Sequence, residues 1–221
     1  MLKPRTAPSL IADALREDIN RGVLKPGAAL RQEALADRFA VSRIPIRDAL
    51  RMLESEGIVV LQPNRGAYVA TLAVAEVKEI FHLRRLVEVD LIGLAVPRLD
   101  ALALRAIRAS AKVAEKLSAT PDWVTGDRAF HRALYVPADR PRQLEVAMAL
   151  RSTVERYEAI YRKLPQKRFS WTRDHAAILD ACAQGDVAEA RSQLSAHLDH
   201  AGAFLVEQIA ARDKANSDHA P

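Results

Sequence analysis

The sequence predicts a mainly α protein in two parts: three short helices with a β-hairpin at the N-terminus, then an antiparallel all-α bundle of six helices. Three observations lead there. Aromatic residues make up only 5% of the chain while Ala, Leu, Arg and Val recur throughout, a composition that favours helix. Apolar residues repeat at helical spacing over most of the length. The β-prone runs are two, both short, and after Thr71 the β signal disappears.

Ser9 to Arg21 sets Leu10, Ile11, Ala14, Leu15 and Ile19 at helical spacing, and Gly22 is the natural stop. Lys25-Pro26-Gly27 makes a turn, after which Leu30 to Phe39 forms a second short helix with Ala34, Leu35 and Phe39 on one side. Val41-Ser42 breaks it. Ser42 is placed to cap a third helix that begins at Arg43, and Pro45 falls in its first turn, where a missing N–H costs nothing. Ile46, Ala49, Leu50 and Leu53 form its core face and Gly57 ends it. Ile58 to Leu61 and Ala67 to Ala70 then flank the turn Pro63-Asn64-Arg65-Gly66. Three helices followed by a hairpin make a winged helix-turn-helix, expected over residues 1–71, with Thr71 to Ala73 as linker.

The bundle is expected over residues 72–211, with helices at Val74 to Val96, Asp100 to Leu117, Asp122 to Tyr135, Arg142 to Leu164, Ser170 to Gln184 and Val187 to Ala211. Pro97, Pro121, Pro137, Pro141, Pro165 and Gly185 separate them. Residues 212–221 are polar and are expected to fray as a flexible tail.

With 221 residues, 49% hydrophobic and 28% charged, the chain can bury a sizeable core. Its net charge of +5 fits an anionic partner, although such an excess is also common in proteins that touch no nucleic acid. Met1 to Ser9 has no apolar run of a secretory signal, and no stretch is apolar enough to span a bilayer, so a cytoplasmic protein without membrane contact is expected. The single cysteine, Cys182, excludes an intrachain disulfide and reads as a small buried hydrophobe behind Ile178 and Leu179.

In a helix-turn-helix the first residues of the second helix reach base edges, and here Arg43 and Arg47 stand one turn apart, opposite the apolar face. An arginine fork matches guanine O6 and N7, whereas the bland reading of such a pair is a solvated basic face. The string Gly22-Val-Leu-Lys-Pro-Gly27, Leu30-Arg-Gln-Glu-Ala-Leu-Ala36, Val41-Ser-Arg-Ile-Pro-Ile-Arg-Asp-Ala-Leu50 and Leu53-Glu-Ser-Glu-Gly57 resembles the GntR-family DNA-binding domain throughout residues 9 to 71. That resemblance implies a DNA-contacting set of Ser42, Arg43, Arg47, Arg65 and Gly66, with the wing turn at the minor groove. Glu33 departs from it, since some members have an arginine there.

Asp127 and His131 lie four apart on one expected helix, His175 opens the core face of another, and His197 sits in the middle of the last. Three imidazoles and one carboxylate could converge on a divalent ion, and each also has an ordinary reading as a helix pair or a core histidine. Asp-x-x-Phe-His at Asp127 to His131, then His-x-x-Ile-Leu-x-Ala-x-x-x-Gly-Asp at His175 to Asp186, then His197, resembles the metal-binding pattern of FCD domains. The resemblance implies Asp127, His131, His175 and His197 as ligands. Mixed N and O donors suit zinc or nickel, with manganese or iron as alternatives. His82, His200 and His219 fall outside the pattern.

Phe81-His-Leu-Arg-Arg-Leu-Val-Glu88 resembles the FCD segment in which an arginine holds the effector carboxylate, which implies Arg84 in preference to Arg85. Arg85 and Glu88 could instead form a surface pair. Tyr157 and Tyr161, also four apart, are candidates to line the pocket or to pack in the core. Arg140 stands where many FCD domains have asparagine.

No His-Glu-x-x-His, Gly-x-Ser-x-Gly or phosphate-cradling loop occurs, so an enzyme is not expected. The expectation is a homodimeric transcription regulator that binds double-stranded operator DNA and answers to a small carboxylate. Most relatives of this type are repressors released by effector, and activation stays open. The alternatives are a regulator that binds a long acyl thioester without metal, and a metal-dependent enzyme fused to a DNA-binding module.

Overall fold

The structure, a computed structural model, describes residues 6–120, 122–160 and 168–217. Its backbone divides into two compact units between Leu72 and Ala73.

In the first unit α1 spans Ala7–Asn20, α2 Gln32–Phe39 and α3 Arg43–Ser55, beside an antiparallel sheet of β1 (Ala29–Leu30), β2 (Val59–Gln62) and β3 (Gly66–Val69) in the order β1-β3-β2. Thr6 Oγ1 caps α1 by accepting from the Ser9 N–H, and Pro8 occupies the first turn. Hydrophobic periodicity does not announce β1. Two residues are too few to alternate, and they form a strand because Ala29 pairs with Tyr68 and Leu30 with Ala67. In the hairpin Val59 faces Val69 and Gln62 faces Gly66, and this register sets Val59, Ala67 and Val69 in one core with Leu15, Ile46, Leu50 and Leu53. The turn needs left-handed backbone at Asn64 and Gly66, with φ of 62° and 97°.

Ser42 occupies the N-cap position of α3 with extended backbone, but its side chain makes no capping hydrogen bond, which corrects the expected cap. An N-cap oxygen accepts from the second or third helical N–H, and the third residue here is Pro45, which has none.

The second unit contains α4 (Val74–Ala95), α5 (Ala101–Leu117), α6 (Trp123–Tyr135), α7 (Pro141–Ile160), α8 (Arg168–Gln184) and α9 (Val187–Ser217). Short 3-10 turns at Val96–Arg98 and Val136–Ala138 carry Pro97 and Pro137. Helix α4 packs on α9, α7 and α6, while α5 packs on α6 and α8. Asp100 caps α5 by accepting from the Ala103 N–H at 2.7 Å, and Asp186 does the same at the start of α9 for Glu189 at 3.0 Å. Gly126 lets α5 and α6 approach closely, since a Cβ there would lie 2.9 Å from Ala114 Cα. Helix α9 runs from Val187 to Ser217, beyond the expected helix end at Ala211. Ala210, Ala211, Lys214 and Ala215 are good helix formers, and neither glycine nor proline interrupts them. Among the described residues no helix is long and apolar enough to cross a membrane.

Cys182 is buried on α8, and burial pushes its thiol up to about 11. Native protein is therefore expected to resist a thiol-alkylating reagent at mildly alkaline pH and to label stoichiometrically once unfolded. Equal labelling rates in the two states would place Cys182 at the surface.

Candidate functional site

Helix α3 buries Ile46, Ala49, Leu50 and Leu53 and turns Arg43 and Arg47 to solvent. Arg51, not singled out from the sequence, continues that exposed row one turn further along. Arg43 Nη2 lies 2.7 Å from Glu33 Oε1 on α2, so the departure noted at Glu33 meets the first arginine of the helix directly. Ser42, Arg65 and Gly66 are exposed, and the Tyr68 hydroxyl donates to the Arg65 carbonyl at 2.8 Å, which steadies the wing turn.

In the bundle, His131 of α6, His175 of α8 and His197 of α9 each bring a ring nitrogen to within 4.8 Å of the others. Asp127 Oδ1 stands 3.2 Å from His175 Nε2 and 3.6 Å from His131 Nε2. Bonds of about 2.0–2.2 Å to one ion put neighbouring ligand atoms roughly 3.0–3.5 Å apart, so these spacings suit a shared cation. His131 Nε2, His175 Nε2 and His197 Nδ1 are buried without a hydrogen bond, their polar neighbours being the carboxylates of Asp127 and, for His197, Asp174 at 3.5 Å. Orphaned nitrogens of three imidazoles gathered beside a carboxylate are a donor set that fits a divalent metal.

Protonation agrees with that fit. Burial, followed by the Arg151 charge, holds His131 well below the usual imidazole range, and burial lowers His197 to about 4. Both are neutral at pH 7, as ligands must be. Tyr135 donates its hydroxyl proton to Glu88 Oε2 at 2.6 Å, so its oxygen accepts from His131 Nδ1 at 3.1 Å. That bond fixes the proton on Nδ1 and leaves the Nε2 lone pair bare.

Sequence reasoning missed the charged framework behind these groups. Arg84 Nε donates to Glu88 Oε1 at 2.7 Å, Arg151 Nη1 donates to Glu88 Oε2 at 2.9 Å, and Arg151 Nη2 donates to Asp127 Oδ2. Burial alone would raise Glu88, but Arg84 and then Arg151 outweigh it and hold the carboxyl down at about 2. A ring of contacts therefore closes from His131 through Tyr135, Glu88, Arg151 and Asp127 back to His131. The available signal was register: Arg151 falls in the stripe of buried Ala147 and Val154, and Glu88 in that of Arg84, Leu91 and Ile92.

Arg84 is buried with its guanidinium bonded to Glu88 and lying over the Phe81 ring, 4.7 Å from its centroid. Arg85 points outward to Asp199 at 2.5 Å, so the Arg85–Glu88 surface pair does not form. His82 and His200 are exposed. The Tyr157 side chain, Tyr161 and His219 lie outside the described residues.

A cavity of about 390 Å³ opens beside the imidazoles between α5, α6 and α8, with Asp127 and His175 in its lining. Ala111, Ala114, Trp123 and Leu179 contribute carbon surface, while the exposed side chains of Arg108, Lys112, Glu115 and Asp180 stand at the rim. Arg84 does not line it.

The winged unit with its outward arginine row defines a class, the DNA-binding transcription regulators. The chain belongs to the GntR family of bacterial regulatory proteins, matched over residues 9–69, and its bundle is an FCD domain, matched over residues 79–200. It is 30% identical over 207 residues to the HTH-type transcriptional regulator LutR of Bacillus subtilis, covering 81% of this chain and 92% of the relative. It is 27% identical over 195 residues to the HTH-type transcriptional repressor GlaR of Escherichia coli, covering 83% and 89%. Among solved structures, E. coli McbR/YncC superposes with a TM-score of 0.68 at 21% identity, over 93% of this chain and 99% of that one. A putative GntR regulator from Rhodococcus reaches 0.71 at 23% identity, over 90% and 97%.

Proposed function

We propose that the protein is a homodimeric, cytoplasmic transcriptional repressor whose operator affinity is set by a small carboxylate effector at a divalent metal site. Asp127, His131, His175 and His197 would hold the ion, with zinc or nickel favoured by the mixed donors. The observation that carries this reading is the convergence of three imidazoles and Asp127 at the edge of a cavity. A bound divalent ion would supply a Lewis-acidic position for the effector carboxylate.

The chain's own charges favour an anion only with that ion present, because Asp127 and Glu88 already balance Arg84 and Arg151. Arg84 acts from behind Glu88, keeping it ionised as acceptor for Tyr135 and Arg151. It does not touch the effector. A dimer is inferred because one recognition helix reads too few base pairs for useful selectivity. The relative described as a repressor supports that sign of control. The relatives described as transcriptional regulators support sensing over turnover.

Metal analysis of purified protein, followed by operator titration with and without organic acids, tests the reading. About one divalent ion per chain and an acid-dependent loss of operator affinity are expected. Absence of metal would overturn it in favour of the acyl-thioester type, and turnover of the acid would overturn it in favour of an enzyme.

At the DNA end, Arg43→Ala is expected to weaken operator binding by about 1–3 kcal/mol and to relax base preference at one position per half-site. Glu33→Gln should act in the opposite direction, tightening binding to all DNA, since it removes a carboxylate that holds Arg43. Unchanged discrimination in Arg43→Ala, measured on single-base operator variants, would displace α3 as the reading helix.

A further inference from the structure

We infer that the effector is a monocarboxylate with a compact apolar body, best an aromatic acid, in place of a hydroxyl-rich acid. The inference rests on the carboxylate-sensing reading above and concerns the rest of the molecule attached to that carboxylate. The cavity is polar at one end, where Asp127 and His175 stand, and its walls beyond are mostly carbon, from Ala111, Ala114, Trp123 and Leu179. Besides the Trp123 indole N–H, Ser118 and Thr172 add the neutral hydrogen-bonding side chains of the lining. The charged side chains of the rim are solvent-exposed and interact with water whether or not the cavity is filled.

A polyhydroxy acid entering this space would give up several hydrogen bonds to water against two side-chain hydroxyls and one indole N–H, and each unreplaced bond disfavours burial. An aromatic ring has nothing to lose in that exchange and gains contact with the buried Trp123 indole. At about 390 Å³ the cavity is at the small end of the range for small-molecule sites, so the body must be compact. Small side chains at Ala111 and Ala114 leave room for a ring that larger residues on α5 would fill.

The test titrates nickel-loaded, full-length protein with phenylacetate, gluconate and phenylacetamide, following tryptophan emission and thermal stability. A Trp171→Phe background leaves Trp123 as the sole reporter. Phenylacetate is expected to bind at least about tenfold tighter than gluconate and to alter Trp123 emission. Leu179→Asn should reduce that ratio several-fold while leaving metal content unchanged. Gluconate binding as tightly as phenylacetate would overturn the apolar-body inference and leave the carboxylate reading standing. Phenylacetamide binding as tightly as phenylacetate, or no binding of either acid, would overturn the carboxylate reading and this inference with it.

Discussion

Replacing Arg151 by methionine is expected to destabilise the bundle by about 3–5 kcal/mol, the usual cost of removing one partner from a buried ion pair. Arg151 is 3% exposed and bonds both Glu88, which is fully buried, and Asp127 in the contact ring. Without it Glu88 keeps Arg84 and Tyr135, whereas Asp127 keeps the imidazoles of His131 and His175 and no guanidinium. Urea unfolding of metal-free protein measures the loss. Adding Asp127→Asn to Arg151→Met should recover part of it, because the double variant no longer buries a carboxylate without a counter-charge. A loss below about 1 kcal/mol in the single variant would show that water reaches Asp127 and replaces the guanidinium.

His197→Ala should abolish stoichiometric metal binding and with it the gain in melting temperature that added metal gives the wild type, since the ion binds only the folded site. His131→Ala should do the same, and retained metal in both variants would remove them as ligands. Acid should mimic the loss. His197 titrates at about 4 when folded against an ordinary 6.5, so between those values the unfolded chain takes up a proton that the folded chain refuses. Metal-free stability therefore falls as pH drops from about 6.5 to about 4, by on the order of 3 kcal/mol for this group, with His131 adding in the same direction. Glu88 is displaced in the same direction, by the Arg84 and Arg151 charges where burial acts on His197, with the same consequence: its contribution is complete above 4.5 and is lost as pH falls toward about 2. A flat stability profile between neutral pH and pH 5 would show that these imidazoles protonate freely in the folded state.

The winged unit was legible because each element carries its own punctuation. Gly22, Pro45, Gly57 and the Asn64 to Gly66 turn end or start the runs, and the apolar period within each run is intact. Strand β1 was not legible, since its strand character comes from β3, more than thirty residues away. In the bundle, spacing showed that Asp127 and His131 share a face, but only resemblance joined His175 and His197 to them. The Arg151–Glu88–Tyr135 framework went unnoticed because a charge within an apolar stripe reads as an interruption until its buried counter-charge is known. The α5 wall of the cavity was equally silent. Alanines look like helix-forming filler, and only the packing of α5 on α6 and α8 turns them into empty space.

The contact at Gly126 separates two properties that a biosensor engineer would want to change independently. Backbone against backbone at Ala114 fixes how far apart α5 and α6 lie, and it does so without using the side chains that face the cavity further along. Swapping Ala111 or Leu179 can therefore reshape ligand preference while the helix spacing stays put. A methyl group at Gly126 would instead wedge the two helices and carry Asp127, its immediate neighbour, away from the imidazoles. A mutational library for new effectors belongs on the walls, and this glycine belongs outside it.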